Sequence, residues 1–567
     1  MKNTNPIFSL KNFRSFGEEG ADFELAPITV LTGCNSAGKS SLVKALLLLS
    51  KQPIDEGSGN QTFTYDLDDS QDTNRQFAGT DIKSHMPGKQ LKVSLQELGL
   101  GRFDKVVHHH SVNELIVLSY KIWSYYLQEN VLVKRSFKAG KDLLNEGELI
   151  EFLIERMDGT ILFKYHWNSG KNIIFDPELG EICYPIGWEG TGHISSIIEK
   201  CDRYIDFCKL KRYQRNHKFA SKWLSKYGSA NGRNESGKKY AENMLSVADN
   251  GMREITSKWG EQLETYKIPI DWDVSLSLQG ILLSDNQEKE RLLNDDLLSR
   301  EDVKMRQQNN VFHSFVNECL LPWFIKNVVY IDSSSANVKR LYSIEDENKM
   351  CIALSKLVKN GITGSYVNKW LKKFNIADSI EIVGTEEGIG IMVYLNKGGE
   401  KYLLADEGYG ITQLVSLFLQ LENIIIENRH SINGDIWEDN TDNNFYYSHS
   451  FVAIEEPEIH LHPKYQSLLA DMFVEAYQKY NIHFIIETHS EYLIRKLQVL
   501  VADKENILTP NDVSLNYVEK NEDGISTNRK IEIREDGSLN GTLFGSGFYD
   551  EADSLAMELF RRKPILS

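Results

Sequence analysis

The stretch "APITVLTGCNSAGKSSLVKALLLLSK", residues 26–51, constrains the fold more than any other segment of the chain. A short apolar, β-branched run reads as a buried strand, and "SLVKALLLLSK" reads as a helix. Between them lies G-x-x-x-x-G-K-S, carried by Gly33, Gly38, Lys39 and Ser40. Each element of it has a physical reason. Glycines let backbone N–H groups curl around phosphate oxygens, and the helix N-terminus adds partial positive charge. Lys39 is placed to reach the β- and γ-phosphates, and the Ser40 hydroxyl to meet Mg²⁺. The competing reading is a plain strand–helix turn that carries a lysine.

A phosphate cradle alone leaves hydrolysis unexplained. "FVAIEEPEIHLHP" (Phe451–Pro463) supplies a second buried strand with two carboxylates at its C-terminal end. Such carboxylates suit Mg²⁺ held through water and alignment of an attacking water. Glu455 is assigned to the metal and Glu456 to general base or water positioner; an acidic loop after a core strand is the alternative. In "NIHFIIETHSEYLIRKL" a strand runs straight into His489, which reads as a γ-phosphate sensor or as a polar surface residue. "YLLADEGYGITQLVSLFLQLENIII" leaves the amides of Gly408 and Gly410 bare before a long apolar helix, and Thr412 adds a hydroxyl. That is a second anion-binding helix start. One triphosphate rarely needs two; two chains packed head to tail do. A glycine cap or hairpin turn is the alternative.

In this order, the motifs resemble the ABC-type ATPase heads of SMC, RecF and RecN proteins. They resemble more closely the prokaryotic AAA-family ATPases, like those of overcoming-lysogenisation-defect type, that carry a short C-terminal domain of unknown function. The match includes "LKNFRSFG", "LGLGRFDKVVH" (Leu98–His108), "VVYIDSSSANVKRLY" (Val328–Tyr342), "VNKWLKKFNIADSIEIV" and "DGSLNGTLFGSGFYDEA". The resemblance implies that Gly33, Asn35, Ser36, Ala37, Gly38, Lys39, Ser40 and Ser41 bind ATP and Mg²⁺. It makes Gly408, Gly410, Thr412 and Gln413 a signature offered to a second copy. It makes Glu455 and Glu456 the Walker B pair, Leu461-His462 the D-loop and His489 the switch histidine. Glu455 stands where Asp is usual, and Thr412 where Ser is commoner. Gln52 and Gln96 are the candidates for a Q-loop residue.

About four hundred residues separate Lys39 from Glu455, far more than one α/β domain needs. The expected fold is therefore an α/β P-loop head interrupted by a β-rich segment and a helical lobe. The expected division is residues 1–190, 191–327 and 328–567. No heptad array suggests a long coiled-coil arm. Within the lobe, "KLKRYQRNHKFASKWLSKY" (Lys209–Tyr227) holds seven Lys/Arg and no acid, although the chain's formal charge is −17. Lys211, Arg212, Arg215, Lys218 and Lys222 could neutralise phosphates while Tyr213, Phe219, Trp223 and Tyr227 stack on bases or enter a partner's pocket. Equally, this is an amphipathic helix whose aromatics face inward. His108–His110 have no companions at metal spacing and read as surface.

The six scattered cysteines, without a C-x-x-C pair, suit a reducing compartment. No membrane span and no secretory leader are expected, which makes the cytoplasm the expected location. "VEKNEDG" reads as a hairpin turn, not a nuclease site, and no nuclease is expected in this chain. "GSGFYDEADSLAMELF" reads as a helix docking on the head. The expected function is an ATPase that forms a homodimer or higher homo-oligomer around ATP. By resemblance it regulates a separate nuclease or toxin in antiphage defence, as in Septu-like, retron-linked or PARIS-like systems. A RecF-like DNA-repair mediator and an ATP-dependent scaffold with negligible turnover are the alternatives.

Overall fold

The computed structural model describes residues 5–50, 90–92, 100–108, 114–139, 146–166, 174–176, 180–182, 194–227, 235–260, 266, 315, 318–319, 322–326, 328–331, 339–343, 349–360, 365–385, 390–431, 445–503, 508–540 and 557–558. Gln52, Gln96, His109, His110 and nearly all of the expected docking helix lie outside them.

The chain is organised around strand β3 (Ile28–Gly33), which is buried along its whole length. It sits inside a seven-stranded sheet whose order is Val328–Ile331, Ser450–Glu455, Ile482–Glu487, β3, Val513–Lys520, Ser526–Ile533 and Leu539–Asn540. The first five strands run parallel, and the last two are added by successive antiparallel pairings. Parallel strands covered on both faces are nearly continuously apolar, as the central strands Ile28–Gly33, Ser450–Glu455 and Ile482–Glu487 mostly are. The pleat divides them between two cores. Leu31, Ala453 and Ile485 join one cluster, while Ile28, Val30, Val452 and Ile486 join the other.

On the first face lies helix α1 (Lys39–Ser50), buried nearly all round. A helix apolar on every side needs two covers, and here the second is another sheet. It is antiparallel and takes in β1 (Ile7–Lys11), β2 (Ala21–Glu24) and the strands Ile116–Ser124, Glu129–Ala139, Glu146–Arg156 and Ile161–His166. Leu42, Leu46 and Leu49 share one core with Phe8, Leu10, Ile116 and Leu118. Burial of each such side chain is worth ~1.5–3 kcal/mol relative to exposure. The β-rich segment is thus the outer cover of the P-loop helix. On the opposite face pack the helices Tyr409–Asn428, Pro463–Tyr480 and Glu491–Ala502. Tyr409–Asn428 is, among the described residues, the one helix long and apolar enough to cross a membrane, and 78% of its apolar window is buried inside the fold. A small antiparallel sheet (Tyr342–Ser343, Gly390–Lys397, Ser379–Gly384, Glu400–Leu403) lies against the same core.

The helical segment contains a hairpin of two long helices, Ile194–Tyr227 and Glu235–Trp259. Its interior is built from the aromatics of the basic stretch. Trp223 is 7% exposed and packs with Ala220 and Ala241. The ring of Tyr213 lies so close to Gly251 that a Cβ there would come within 2.2 Å of it. Tyr213 and Trp223 therefore face the companion helix, which corrects the base-stacking reading for these two. Lys211, Lys218 and Lys222 remain exposed, while Arg212 and Arg215 are half-buried. His108 is a second correction. It is buried, and its Nδ1 bonds the Arg14 carbonyl at 2.9 Å, so the first of the three histidines braces the N-terminal turn.

Candidate functional site

The glycine loop joins β3 to α1 with Cys34, Asn35 and Ser36 exposed and Ala37 buried. Gly33 takes φ +132° and lies so near the Val518 carbonyl that a Cβ would sit 2.0 Å from it. Gly38 takes φ +104°, and Ser36 adopts φ +59°. These positive angles turn the backbone back on itself, the conformation that gathers amide groups into an anion cradle. Lys39 is buried, and its ammonium donates to the carbonyls of Gly33 (3.2 Å) and Cys34 (3.1 Å). Burial pulls its pKa below the usual lysine value, opposed first by Glu487 and then by Glu456. Ser526 donates to the Ala37 carbonyl at 2.5 Å, tying the loop to the C-terminal hairpin. The Ser41 hydroxyl is buried without a partner among the described residues.

The carboxylate pair stands next to this loop. Glu455 ends its strand opposite Glu487, its parallel neighbour. Glu456 is the first residue past the strand, at φ +45°, and its N–H donates to the Glu487 carbonyl at 2.7 Å. This left-handed step turns its side chain toward His489, whose Nε2 lies 3.8 Å from Glu456 Oε1. Burial holds the His489 imidazole below its ordinary pKa, Lys39 reinforces this, and Glu456 opposes it. The fold thus brings together the loop, Glu455, Glu456 and His489, residues far apart in sequence.

Four more groups belong to this constellation. Glu487 is 7% exposed, bonded to the Ser40 hydroxyl, and pushed up to about 7 by burial. Glu458 is buried and accepts the His489 N–H at 2.6 Å, fixing the histidine's backbone. Burial raises its pKa as well. The cations Arg14 and Lys44 are each lowered by burial and attracted by Glu455 and Glu487. Sequence reasoning passed over all four. The available signal for Glu487 was a single carboxylate closing an otherwise apolar strand. For Arg14 it was the "LKNFRSFG" segment itself.

The second helix start is exposed at Gly408 and Tyr409, and Gly408 caps the helix without any side-chain bond. Thr412 is buried and donates to the Tyr409 carbonyl at 2.7 Å, so its hydroxyl points back along its own helix rather than outward. Gln413 is buried too. Gly410 meets the turn after the carboxylate strand: a Cβ there would lie 2.6 Å from the His460 carbonyl. The Tyr409 and His460 rings pack edge to face at 4.8 Å.

Among the described residues no group of three or more His, Cys, Asp or Glu is arranged to hold a metal by itself. Mg²⁺ arriving with a triphosphate needs less: one or two carboxylates acting through water, a hydroxyl and the phosphates themselves. Ser40 with Glu455 fits that donor set, and the buried Glu487 Oε2, which has no partner among the described residues, fits it too.

The family model described as "AAA ATPase domain" matches residues 7–494. A second, described as "Protein of unknown function (DUF3696)", matches residues 508–559. No curated protein matches the sequence. Among solved structures, the chain resembles the Smc head domain with an extended coiled coil bound to the C-terminal domain of ScpA from Pyrococcus furiosus. Identity is 12%, coverage is 98% of this chain and 100% of that chain, and the TM-score is 0.32. It also resembles the SMC head domain from Thermotoga maritima, at 10% identity, with 94% and 100% coverage and a TM-score of 0.32. These likenesses are distant, and the fold assignment rests on the strand order described above.

Proposed function

Because this chain belongs to the AAA ATPase domain family, we propose that it binds ATP with Mg²⁺, hydrolyses it, and uses the cycle to join and release a second copy of itself. The observation that carries this reading is the convergence of Lys39, Glu456 and His489 on one glycine loop. In it, the amides of Gly33–Ser41 cradle the phosphates and Lys39 leaves its loop carbonyls for the β/γ oxygens. Ser40 and Glu455 hold the cation, which supplies counter-charge to the phosphates when bound. Glu456 accepts a proton from, or orients, the attacking water, and His489 reports the γ-phosphate. A loose phosphoryl transition state asks for this positioning and counter-charge rather than covalent chemistry.

The Gly408–Gln413 helix start is offered to the nucleotide of a second copy. Its exposed Gly408 and Tyr409 support this; the inward Thr412 hydroxyl leaves the backbone amides as the donors. The output is regulation of a separate effector, a nuclease or toxin, in antiviral defence inside the cytoplasm. Measuring phosphate release and molecular mass in one sample, with and without ATP, tests the core of the reading. ATP-dependent dimers with turnover support it, while dimers without turnover favour a scaffold. A monomer that releases phosphate at the same rate refutes the two-copy site.

A second reading draws on the exposed Lys211, Lys218 and Lys222 of the hairpin. These fall on one helix face, and a nucleic-acid backbone is the ligand such a stripe attracts. DNA-stimulated turnover that falls steeply with salt would favour a repair-type mediator.

A further inference from the structure

Glu487 occupies the centre of the site. Its strand lies between β3 and the Glu455 strand, with Glu487 opposite Leu31 on one side and Glu455 on the other. Its carbonyl accepts the Glu456 N–H, and its carboxylate meets the Ser40 hydroxyl. It is also the foremost acidic neighbour of Lys39. Yet Oε2 is buried with no partner among the described residues. A buried carboxylate oxygen left bare forfeits its hydration without return, a heavier loss than for a neutral group. Lys39, Arg14 and Lys44 lend Glu487 counter-charge, but among the described residues none of them bonds Oε2, and the rest of the strand is Ile, His, Phe, Ile and Ile.

The neighbouring position sharpens the point. The residue at 455 is Glu, and its parallel partner is also Glu, so two acidic side chains leave adjacent strands side by side. Like charges so placed repel unless a cation or its water shell lies between them. We propose that Glu487 is a positioning residue for the divalent cation of the bound nucleotide. It orients the Ser40 hydroxyl toward the ion and offers its free oxygen to a metal-bound water. Groups that orient metal ligands in this way typically contribute about 10–100-fold in metal affinity. The inference rests on the ATP·Mg²⁺ reading above.

The test uses the full chain, wild type and Glu487→Gln, with AMPPNP as nucleotide and Mn²⁺ as paramagnetic probe. Glutamine keeps the size and the acceptor for Ser40 but removes the charge. The expected result is Mn²⁺ affinity weakened about 10-fold or more in the AMPPNP complex, with AMPPNP binding in EDTA and the melting temperature unchanged. Mn²⁺ affinity within about twofold of wild type overturns the proposal, as does an equal loss of AMPPNP binding in EDTA. A lowered melting temperature with unaltered Mn²⁺ affinity also overturns it, assigning Glu487 to folding alone. Wild-type protein that binds no AMPPNP in any buffer removes the ATP reading together with this one, a result plainly different from a variant-specific failure.

Discussion

His489 Nε2 lies 3.8 Å from Glu456 Oε1, although the two residues follow different strands of the sheet. The contact depends on two backbone events. Glu456 adopts φ +45°, which swings its side chain off the strand axis, and Glu458 grips the His489 N–H from below. A water lodged between the two side chains would have an acceptor on one side and an imidazole on the other. The roles proposed for Glu456 and His489, proton acceptor and phosphate sensor, would therefore meet at one point.

Glu456→Gln removes the acceptor and keeps the shape. Phosphate release should fall about 10²–10⁴-fold while ATP binding persists, and the ATP-bound dimer should accumulate. Wild-type turnover in this variant would show that Glu456 is not the base.

The glycines at the second helix start separate two roles. Gly410→Ala places a methyl against the His460 carbonyl and should cost about 1–3 kcal/mol, read as a lowered urea midpoint. Gly408→Ala meets nothing within 4 Å among the described residues and should stay within about 0.5 kcal/mol. If Gly408 faces a second copy's phosphates, the same Gly408→Ala change should nonetheless weaken ATP-dependent dimerisation.

Acid stability should turn on His483. It is packed among Trp323, His449, Phe451 and Tyr477, and burial, with His449 adding to it, pulls its pKa from 6.5 to about 3. Between those values the unfolded chain binds a proton that the folded one refuses, so stability falls as pH drops from about 6.5 toward 3. Above that window the contribution is intact. His483→Phe should flatten this acid limb, gaining on the order of 2–4 kcal/mol near pH 4 relative to its own neutral-pH difference from wild type. Urea titrations at several pH values measure it; an acid limb of unchanged slope would assign the loss to other groups.

Within the helical hairpin, Trp223→Ala should destabilise by about 3–5 kcal/mol because it empties the Ala220–Ala241 contact. Replacing Lys211, Lys218 and Lys222 by Gln should leave the melting temperature within a few degrees. If the stripe meets nucleic acid, that triple variant should lose affinity and show a shallower salt dependence.

The buried strands of the head were legible because they carry an unmistakable apolar signature, and the glycine loop because its spacing demands one backbone path. The Glu455–Glu456 end and His489 followed from their positions after such strands. Glu458 and Glu487 were not legible, since their role is set by which strands become neighbours, a property of topology rather than of local pattern. The aromatics Tyr213 and Trp223 were ambiguous for a related reason. A helix shows which residues share a face, but only its companion, with Gly251 and Ala241, decides whether that face is inward. Thr412 shows the limit of motif logic: a hydroxyl at a helix start can satisfy itself on the preceding carbonyl.

The location of β3 governs how the molecule is made. On the ribosome, Ile28–Gly33 emerges long before Ile482–Glu487 and Val513–Lys520, the two strands that flank it. Until both have been translated, β3 lacks its two neighbours and the sheet face against the leucine-rich α1 is incomplete. The nascent chain therefore carries a leucine-rich helix under an unfinished cover through most of its synthesis. The glycine loop gains Glu487 beside it only once those late strands are in place.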